Sequence, residues 1–190
     1  MHQIEPFANW LRYYDSSEDT QSPFSGKEYN YDLYTETIYG YYIDPAWDSF
    51  GSETLYLKTL YADYVEGYAI LEFIGEWNDT INNDIMTLKR DFLETLMHEG
   101  IRKFILIGEN VFNFHGSDEL YYEEWFEEVE EENGWIAAVC FPEFIQQELR
   151  KYRIDQFISM GGTLQIDQWR TLHPVKFCEL VDQLIQRRLN

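Results

Sequence analysis

The amino-acid sequence predicts an α/β fold with a mixed, largely parallel sheet. In the central part of the chain, short apolar runs typical of buried strands alternate with amphipathic helices of ten to seventeen residues. This alternation indicates βαβ units, whose strands run parallel. The first two apolar runs are instead joined by a short polar turn, which predicts an antiparallel hairpin and makes the sheet mixed.

The composition bounds the class of protein and its partners. A length of 190 residues is usual for one domain, or for one domain with a substantial extension. A hydrophobic content of 45% and an aromatic content of 18% exclude a disordered chain, even at a net charge of −21. With 35 acidic against 14 basic residues, the protein repels nucleic-acid phosphates and anionic lipid. We therefore expect neither a nucleic-acid nor a membrane partner.

The sequence also predicts the compartment. The first residues lack the basic start and apolar run of a signal peptide, and the longest apolar stretch, residues 135–141, is too short to span a bilayer. Cys140 and Cys178 lie in a strand pattern and a helix pattern, so we expect two reduced core thiols. No Cys/His metal spacing is present. The prediction is a cytoplasmic protein without a metal or cofactor.

Composition shifts divide the chain into three parts: a β-rich aromatic extension over residues 1–54, an α/β domain over 55–160, and a linker with a docking helix over 161–190. Twelve of the fifteen tyrosines precede residue 69. In the extension, Tyr29–Leu33 and Thr37–Ile43 are rich in Tyr and Thr and predict short strands.

Each element of the remaining chain follows from its pattern. Apolar runs predict strands over Leu55–Tyr61, Tyr68–Gly75, Lys103–Gly108, Trp135–Phe141 and Gln156–Met160. Apolar residues three and four apart predict helices over Asn82–His98, Glu119–Glu132, Glu143–Tyr152 and Pro174–Leu189. Gly100 and Asn133-Gly134 end the first two helices, and Pro142 begins the third. We expect the stripe of the second helix, Tyr121, Trp125 and Val129, to be buried.

The resulting order, β-β-α-β-α-β-α, resembles the STAS domain, which is named from sulfate transporters and anti-sigma-factor antagonists. Gly75-Glu76-Trp77-Asn78 looks like the family's Gly-Glu-Leu-Asp before its first helix. The segment Val111 to Asp118 resembles the loop that carries Asp-Ser-Ser-Gly in the family. Ser117 aligns there with the serine that a partner kinase phosphorylates in antagonist proteins. The resemblance covers residues 55–160 and implies a regulatory, non-catalytic module that binds another protein.

The matching segment departs from the family at three positions. His115 replaces the acid, Gly116 replaces the first serine, and Asp118 replaces the glycine that follows the second serine. We predict that a protein partner, basic in character, contacts His115, Gly116, Ser117, Asp118, Glu119 and Glu123, with Ser117 as a possible phosphosite. The alternative role for Ser117 or Asp118 is to cap the following helix, since both types accept bonds from first-turn N–H groups.

Other interpretations stay open. The helix over Glu119–Glu132 contains eight glutamates and no Lys or Arg, which is typical of a solvated face or an acidic docking surface. The tyrosine-rich segment Tyr29–Tyr42 is typical of a packing or homo-oligomer surface, and the alternative is a ligand platform on which flat molecules stack. Two further functions remain: a small-molecule or lipid-binding module, and a hydrolase in which His115 activates Ser117.

Overall fold

The computed structural model describes residues 2–34 and 36–189, and it contains two sheets. The small sheet has strands β1 (His2–Ile4), β2 (Thr37–Ile38) and β3 (Tyr41–Ile43), in the order β1-β3-β2. The main sheet has strands β4 (Leu55–Asp63), β5 (Tyr68–Asn78), β6 (Lys103–His115), β7 (Trp135–Val139) and β8 (Ser159–Met160), in chain order. Strands β4 and β5 are antiparallel and the other neighbours are parallel, which confirms the predicted α/β fold class.

Helices fill the crossovers of the main sheet, and one further helix, α5 (Pro174–Leu189), follows its last strand. They are α1 (Asp84–Leu88), a π-helical turn (Lys89–Leu93), α2 (Glu94–His98), α3 (Leu120–Glu131), α4 (Glu143–Lys151) and α5. Short 3₁₀ turns lie at Ile154–Gln156, Gly162–Leu164 and Trp169–Thr171. No helix among the described residues is both long enough and apolar enough to cross a membrane.

A separate hydrophobic core lies on each face of the main sheet. On one face, helices α1 to α4 bury side chains such as Phe92, Trp125 and Ile145 against the strands. On the other face, the N-terminal segment and α5 pack against the sheet, with Trp10 and Phe177 in contact at 6.0 Å between ring centres. Helix α5 contributes Phe177, Val181 and Ile185 to this core. Both cysteines are buried and unpaired, as predicted.

The extension differs from its prediction. Residues 29–33 form no strand, and Thr37–Ile43 is a hairpin rather than one strand, since Tyr39 and Gly40 turn the chain with φ of 50° and 79°. The segment takes its shape from distant contacts. Trp10 donates its indole N–H to the carbonyl of Leu172 at 3.0 Å, and β1 pairs with β3, whose residues follow 39 positions later in the chain. The sequence of a short segment does not reveal contacts with such distant residues.

Two boundaries near the candidate site also differ. Strand β6 was expected to end at Gly108 but continues to His115, because β5 is equally long and pairs with it as far as Asn78 opposite His115. In α3, Tyr122 is buried with Trp125 and Val129, whereas Tyr121 is only half-buried. The predicted buried stripe of α3 was therefore wrong at its first position, where Tyr122 takes the place of Tyr121.

Candidate functional site

The predicted contact segment lies where β6 ends and α3 begins. His115 is the last residue of β6, so it belongs to a strand and not to a loop. Its carbonyl accepts hydrogen bonds from the N–H groups of Asp79 at 2.8 Å and Thr80 at 3.2 Å. The hydroxyl of Thr80 donates to the carbonyl of Gly116 at 2.8 Å. The turn that follows β5 therefore holds the backbone of His115 and Gly116 in place through these hydrogen bonds.

Gly116 lies against the ring of Tyr152, at the end of α4. A β-carbon at position 116 would overlap the Cγ and Cδ2 atoms of that ring. The ring of Tyr152 also packs edge-on against Phe114, with 6.3 Å between ring centres. Glycine at this position therefore allows the close approach of strand end and helix end.

The hydrogen bonds at the start of α3 show whether Ser117 or Asp118 caps this helix. Glu119 is the N-cap residue, and its side chain makes no capping hydrogen bond. Instead, Asp118 Oδ1 accepts a bond from the N–H of Leu120, the first helical residue, at 3.2 Å. Ser117 is exposed, and within the described chain its hydroxyl has no hydrogen-bond partner. Asp118 supports the helix start, and Ser117 is left accessible.

His115 faces a polar cluster at the carboxyl ends of β5 and β6. Its Nε2 atom lies 3.0 Å from Asn113 Nδ2 and 3.7 Å from Glu76 Oε1. The hydroxyl of Tyr39, from the extension hairpin, donates to Glu76. Across residues 2–34 and 36–189 no hydrogen bond joins His115 to Ser117, so the structure does not bring together the pair that the hydrolase interpretation requires.

A buried carboxyl lies behind the segment. Asp79 accepts bonds from the hydroxyl of Tyr122 at 2.6 Å, from the indole N–H of Trp77 at 3.0 Å and from the N–H of Ile85 at 2.9 Å. Burial raises the pKa of Asp79 to about 6, although these three donors oppose the shift. Asp79 therefore links α3, α1 and the end of β5 beneath the candidate surface.

Two glutamates of α3, Glu124 and Glu128, form ion pairs with a buried lysine. Lys89, on the π-helical turn, is fully buried, and its Nζ lies 3.1, 3.0 and 3.1 Å from carboxylates of Glu94, Glu124 and Glu128. Burial by itself lowers the pKa of Lys89, but these three hydrogen bonds raise it above its ordinary value. The hydrogen bond with Lys89 lowers the pKa of Glu124. Sequence reasoning missed Lys89, although it interrupts the apolar stripe of its helix between Ile85 and Leu93.

An open groove runs along the first turns of α3. Its lining residues are Arg90, Leu120, Tyr121, Glu123, Glu124 and Glu127. Arg90 binds Glu124, but no lysine or arginine in the described ranges lies within ion-pair distance of Glu123 or Glu127. Leu120 is 64% exposed at the head of the groove. Glu119, directly before Leu120, is bound to Arg153 at 3.5 Å. Glu123 is both a predicted contact residue and a lining residue of the groove, so the two surfaces are continuous.

The tyrosine-rich segment forms part of a second site. Tyr29, Tyr31 and Tyr34 line a cavity of about 300 Å³ between the N-terminal segment and strand β4. Residue 35 of this segment lies outside the described chain. Sequence reasoning found the tyrosines but not Lys58 and Thr59, the polar lining residues of β4, because a single Lys or Thr in an apolar strand gives no signal of its own.

Comparison with known proteins finds a similarity to solved structures. No protein-family model and no curated protein matches the sequence. Among solved structures, the chain is similar to that titled "Structure of the Bacillus Cell Fate Determinant SpoIIAA in the Phosphorylated Form", with 8% sequence identity and a TM-score of 0.39. The similarity covers 59% of this chain and 97% of that one. The resemblance of this chain to the STAS family rests on the order of its elements, β-β-α-β-α-β-α, over residues 55–160.

Proposed function

We propose that this chain is a non-catalytic regulatory module that binds a positively charged segment of a protein partner. The contact surface comprises His115, Gly116, Ser117, Asp118, Glu119 and Glu123 and continues along the groove of α3. The groove carries the proposal, because exposed Leu120 stands beside the carboxylates of Glu123 and Glu127. A protein interface usually surrounds an apolar centre with a polar rim, and Leu120 between these two glutamates has that arrangement on a small scale.

The chemistry of the partner follows from the charges of the groove. Lys89 and Arg90 already neutralise Glu124, which leaves Glu123 and Glu127 as the charges that a partner meets. The net charge of −21 adds a long-range field that accelerates the approach of a basic segment. The proposed partner segment therefore has two or more Lys or Arg side chains and one large apolar side chain for Leu120.

Ser117 is the position at which modification would regulate binding. Its side chain is exposed and lies two residues before the N-cap of α3. A phosphate at this position would add to the negative charge of Asp118 and Glu119 and would compete with Asp118 for the first N–H groups of the helix. We propose that phosphorylation of Ser117 changes the affinity for the partner and leaves the fold intact. Mass spectrometry of the protein from its native cells tests this modification directly.

Site-directed photo-crosslinking in the producing cells tests the surface. One variant carries benzoylphenylalanine at position 120, and its control carries it at Val65, which is 86% exposed in the turn between β4 and β5. The proposal expects a protein that cross-links from position 120 and not from position 65. Equal capture from both positions, or none from position 120, contradicts it.

Titration of the captured partner then tests the chemistry. Replacing Glu123 and Glu127 by Gln removes the two unpaired carboxylates, and we expect affinity to fall about tenfold at low salt, which corresponds to about 1.4 kcal/mol. The matched control replaces Glu130 and Glu131, exposed on the same helix but outside the groove. If both double variants lost the same affinity, the net charge of the protein would explain the effect, and a specific role for the groove would be refuted.

A further inference from the structure

The tip of the extension hairpin, Thr37–Ile43, lies beside the proposed contact surface. Tyr39 donates its hydroxyl to Glu76, and Asn113 Nδ2 lies 3.5 Å from the same hydroxyl. Asn113 Nδ2 is in turn 3.0 Å from Nε2 of His115, which belongs to the contact surface. We propose that Tyr39 extends this surface and receives an arginine side chain of the partner on its exposed ring. The inference rests on the proposed function and names the residue type that the partner places there.

The hairpin is held on the main sheet by contacts with two strands. The rings of Tyr41 and Phe112 of β6 are stacked, with 5.3 Å between ring centres and 20° between planes. The ring of Tyr39 meets Phe112 edge-on, with 6.1 Å between ring centres. On β5, a β-carbon at Gly75 would lie 3.0 Å from Cδ1 of Ile38, so glycine allows the hairpin to approach. These contacts place Tyr39 at the carboxyl ends of parallel strands, where open α/β sheets bind their ligands.

The backbone of Tyr39 has a conformation that a tyrosine disfavours. Its φ is 50°, and that of the following Gly40 is 79°. A two-residue hairpin turn with positive φ at both positions favours Asn-Gly, because a β-carbon crowds the backbone in this region. Tyr39 is also 59% exposed, so burial in the core does not require a large ring here. Residues held in such a conformation are concentrated at functional sites, and we infer that the exposed ring has a binding role.

A carboxylate that a partner can reach lies beside this ring. Glu76 accepts the hydroxyl of Tyr39 on Oε2 and the Nδ2 group of Asn78 on Oε1, the latter at 2.9 Å. Its side chain is 18% exposed, and each oxygen has two lone pairs and can accept a further bond. Within residues 2–34 and 36–189 no lysine or arginine lies within ion-pair distance of Glu76, and the basic group near it is His115, at 3.7 Å. The site therefore offers a negative charge next to an exposed aromatic face.

A guanidinium group fits this combination better than an ammonium group. It is planar, so it can stack on the ring of Tyr39 while its N–H groups bond to the carboxylate of Glu76. An ammonium group is more strongly hydrated and acts as a point charge. Tyrosine and arginine are also enriched among the residues that dominate protein interfaces. The partner segment therefore carries an arginine for Tyr39 in addition to the apolar side chain for Leu120.

Photo-crosslinking from the hairpin tests the location. The full chain carries benzoylphenylalanine at position 39 in the producing cells, and the captured proteins are compared with those from positions 120 and 65. We expect positions 39 and 120 to capture the same protein, position 65 not to capture it, and the segment cross-linked from position 39 to contain an arginine. If position 120 captures a protein that position 39 does not, or if that segment lacks arginine, this inference is overturned and the proposed function stands. If neither position captures a protein, both are overturned.

Two synthetic peptides test the chemistry. They span the segment cross-linked from position 39 and carry either arginine or citrulline, which has a similar shape without the charge, at the arginine nearest the cross-link. We expect the full chain to bind the arginine peptide about tenfold more tightly than the citrulline peptide. In Glu76→Gln this preference should fall below about threefold, because the carboxylate charge is removed. Equal affinities of the wild type for the two peptides, or an unchanged preference in Glu76→Gln, would contradict the proposed pairing.

Three variants separate a binding role of Tyr39 from a structural one. Tyr39→Asn supplies the residue that the turn favours and removes the ring, so the melting temperature should stay within about 4 °C of the wild type. Its affinity for the arginine peptide should fall about tenfold. Tyr39→Phe keeps the ring and should bind within about twofold of the wild type. Tyr13→Asn, which changes an exposed tyrosine packed against His173, is the matched control and should bind as the wild type does.

The outcomes of these variants are distinct. Wild-type affinity in Tyr39→Asn would refute a contact between the ring and the partner. Equal losses in Tyr39→Phe and Tyr39→Asn would refute it as well, because the hydroxyl bond to Glu76 would then act by holding the hairpin in place. A loss in Tyr13→Asn equal to that in Tyr39→Asn would show that the effect does not depend on this position.

Discussion

Glu72, on strand β5 of the main sheet, accepts a hydrogen bond from the backbone N–H of Phe7 at 2.8 Å. This bond connects the N-terminal segment to strand β5 across 65 residues. The guanidinium of Arg170 lies 3.8 Å from the same carboxyl group, which is otherwise enclosed by protein. Burial raises the pKa of Glu72 to about 7, and the bond from Phe7 and the charge of Arg170 only partly oppose it.

The raised pKa of Glu72 predicts a pH-dependent stability. The folded protein holds this proton more tightly than the unfolded chain does, so the contribution of Glu72 is fully present below pH 4.5 and is lost as the pH rises to 7. The shift from 4.5 to about 7 corresponds to about 3 kcal/mol. Urea unfolding of wild type and Glu72→Gln between pH 4.5 and 8 measures it. We expect the free-energy difference between the two proteins to change across this range, and a constant difference would refute the assignment.

The same bond explains why the extension could not be derived from sequence. Strands β5, β6 and β7 were predictable because burial on both faces gives continuous apolar runs. The N-terminal segment is instead ordered by single contacts with distant residues, such as Phe7 with Glu72 and Trp10 with Leu172. The second half of β6 was missed for a related reason. Its polar residues Glu109 and Asn110 interrupt the apolar run, and only pairing with β5 continues the strand.

Lys89→Met should destabilise the protein, because Glu94, Glu124 and Glu128 lose their buried cation and only Arg90 remains beside Glu94 and Glu124. Loss of one partner from a buried ion pair costs about 3–5 kcal/mol, but these carboxylates are 39%, 37% and 43% exposed, so we expect about 2 kcal/mol. The loss should shrink as the pH falls below 4.5, because the folded protein holds the pKa values of Glu94 and Glu124 below that value and these ion pairs are lost when the two groups take up protons. Urea unfolding at pH 7 and pH 4 measures both effects. Lys151→Met, which removes an exposed lysine paired with Glu148, is the control, and a similar loss in the two variants would contradict a special role for Lys89.

The candidate site was predictable in part for a local reason. His115 to Glu119 are consecutive, so any fold keeps them together, and the change from strand to helix pattern located them at one edge of the sheet. Lys89 and Tyr152 come from other elements. Their positions beside Glu124 and Gly116 depend on how the helices pack on the sheet, which the periodicity of each helix leaves undetermined.

Gly116→Ala should destabilise the protein because its β-carbon would overlap the ring of Tyr152. Overpacking of this kind costs about 1–3 kcal/mol. A double-mutant cycle with Tyr152→Ala measures the coupling, since removal of the ring leaves room for the added methyl group. We expect the double variant to be more stable than the sum of the single effects. Strict additivity would show that the two positions do not meet.

Tyr122→Phe should weaken the support beneath the contact surface. The lost hydroxyl donates to Asp79 at 2.6 Å, and a hydrogen bond to a charged group contributes about 1.5–3 kcal/mol. Because the pKa of Asp79 is about 6, the bond is to a carboxylate at pH 8 and to a neutral acid at pH 5. The destabilisation should therefore be larger at pH 8, where urea unfolding measures it directly.

Tyr121→Phe is the matched control for that experiment, since Tyr121 precedes Tyr122 on α3 and is only half-buried, and its hydroxyl makes no hydrogen bond within the described chain. Its stability should equal that of the wild type at both pH values. The N–H of Asp79 also binds the carbonyl of His115, so Tyr122→Phe should lower affinity for the partner as well as stability. Tyr121 lies in the groove itself, and Tyr121→Phe should keep the affinity because its ring remains. If the two variants had the same affinity, the buried carboxyl would support the fold without positioning the surface.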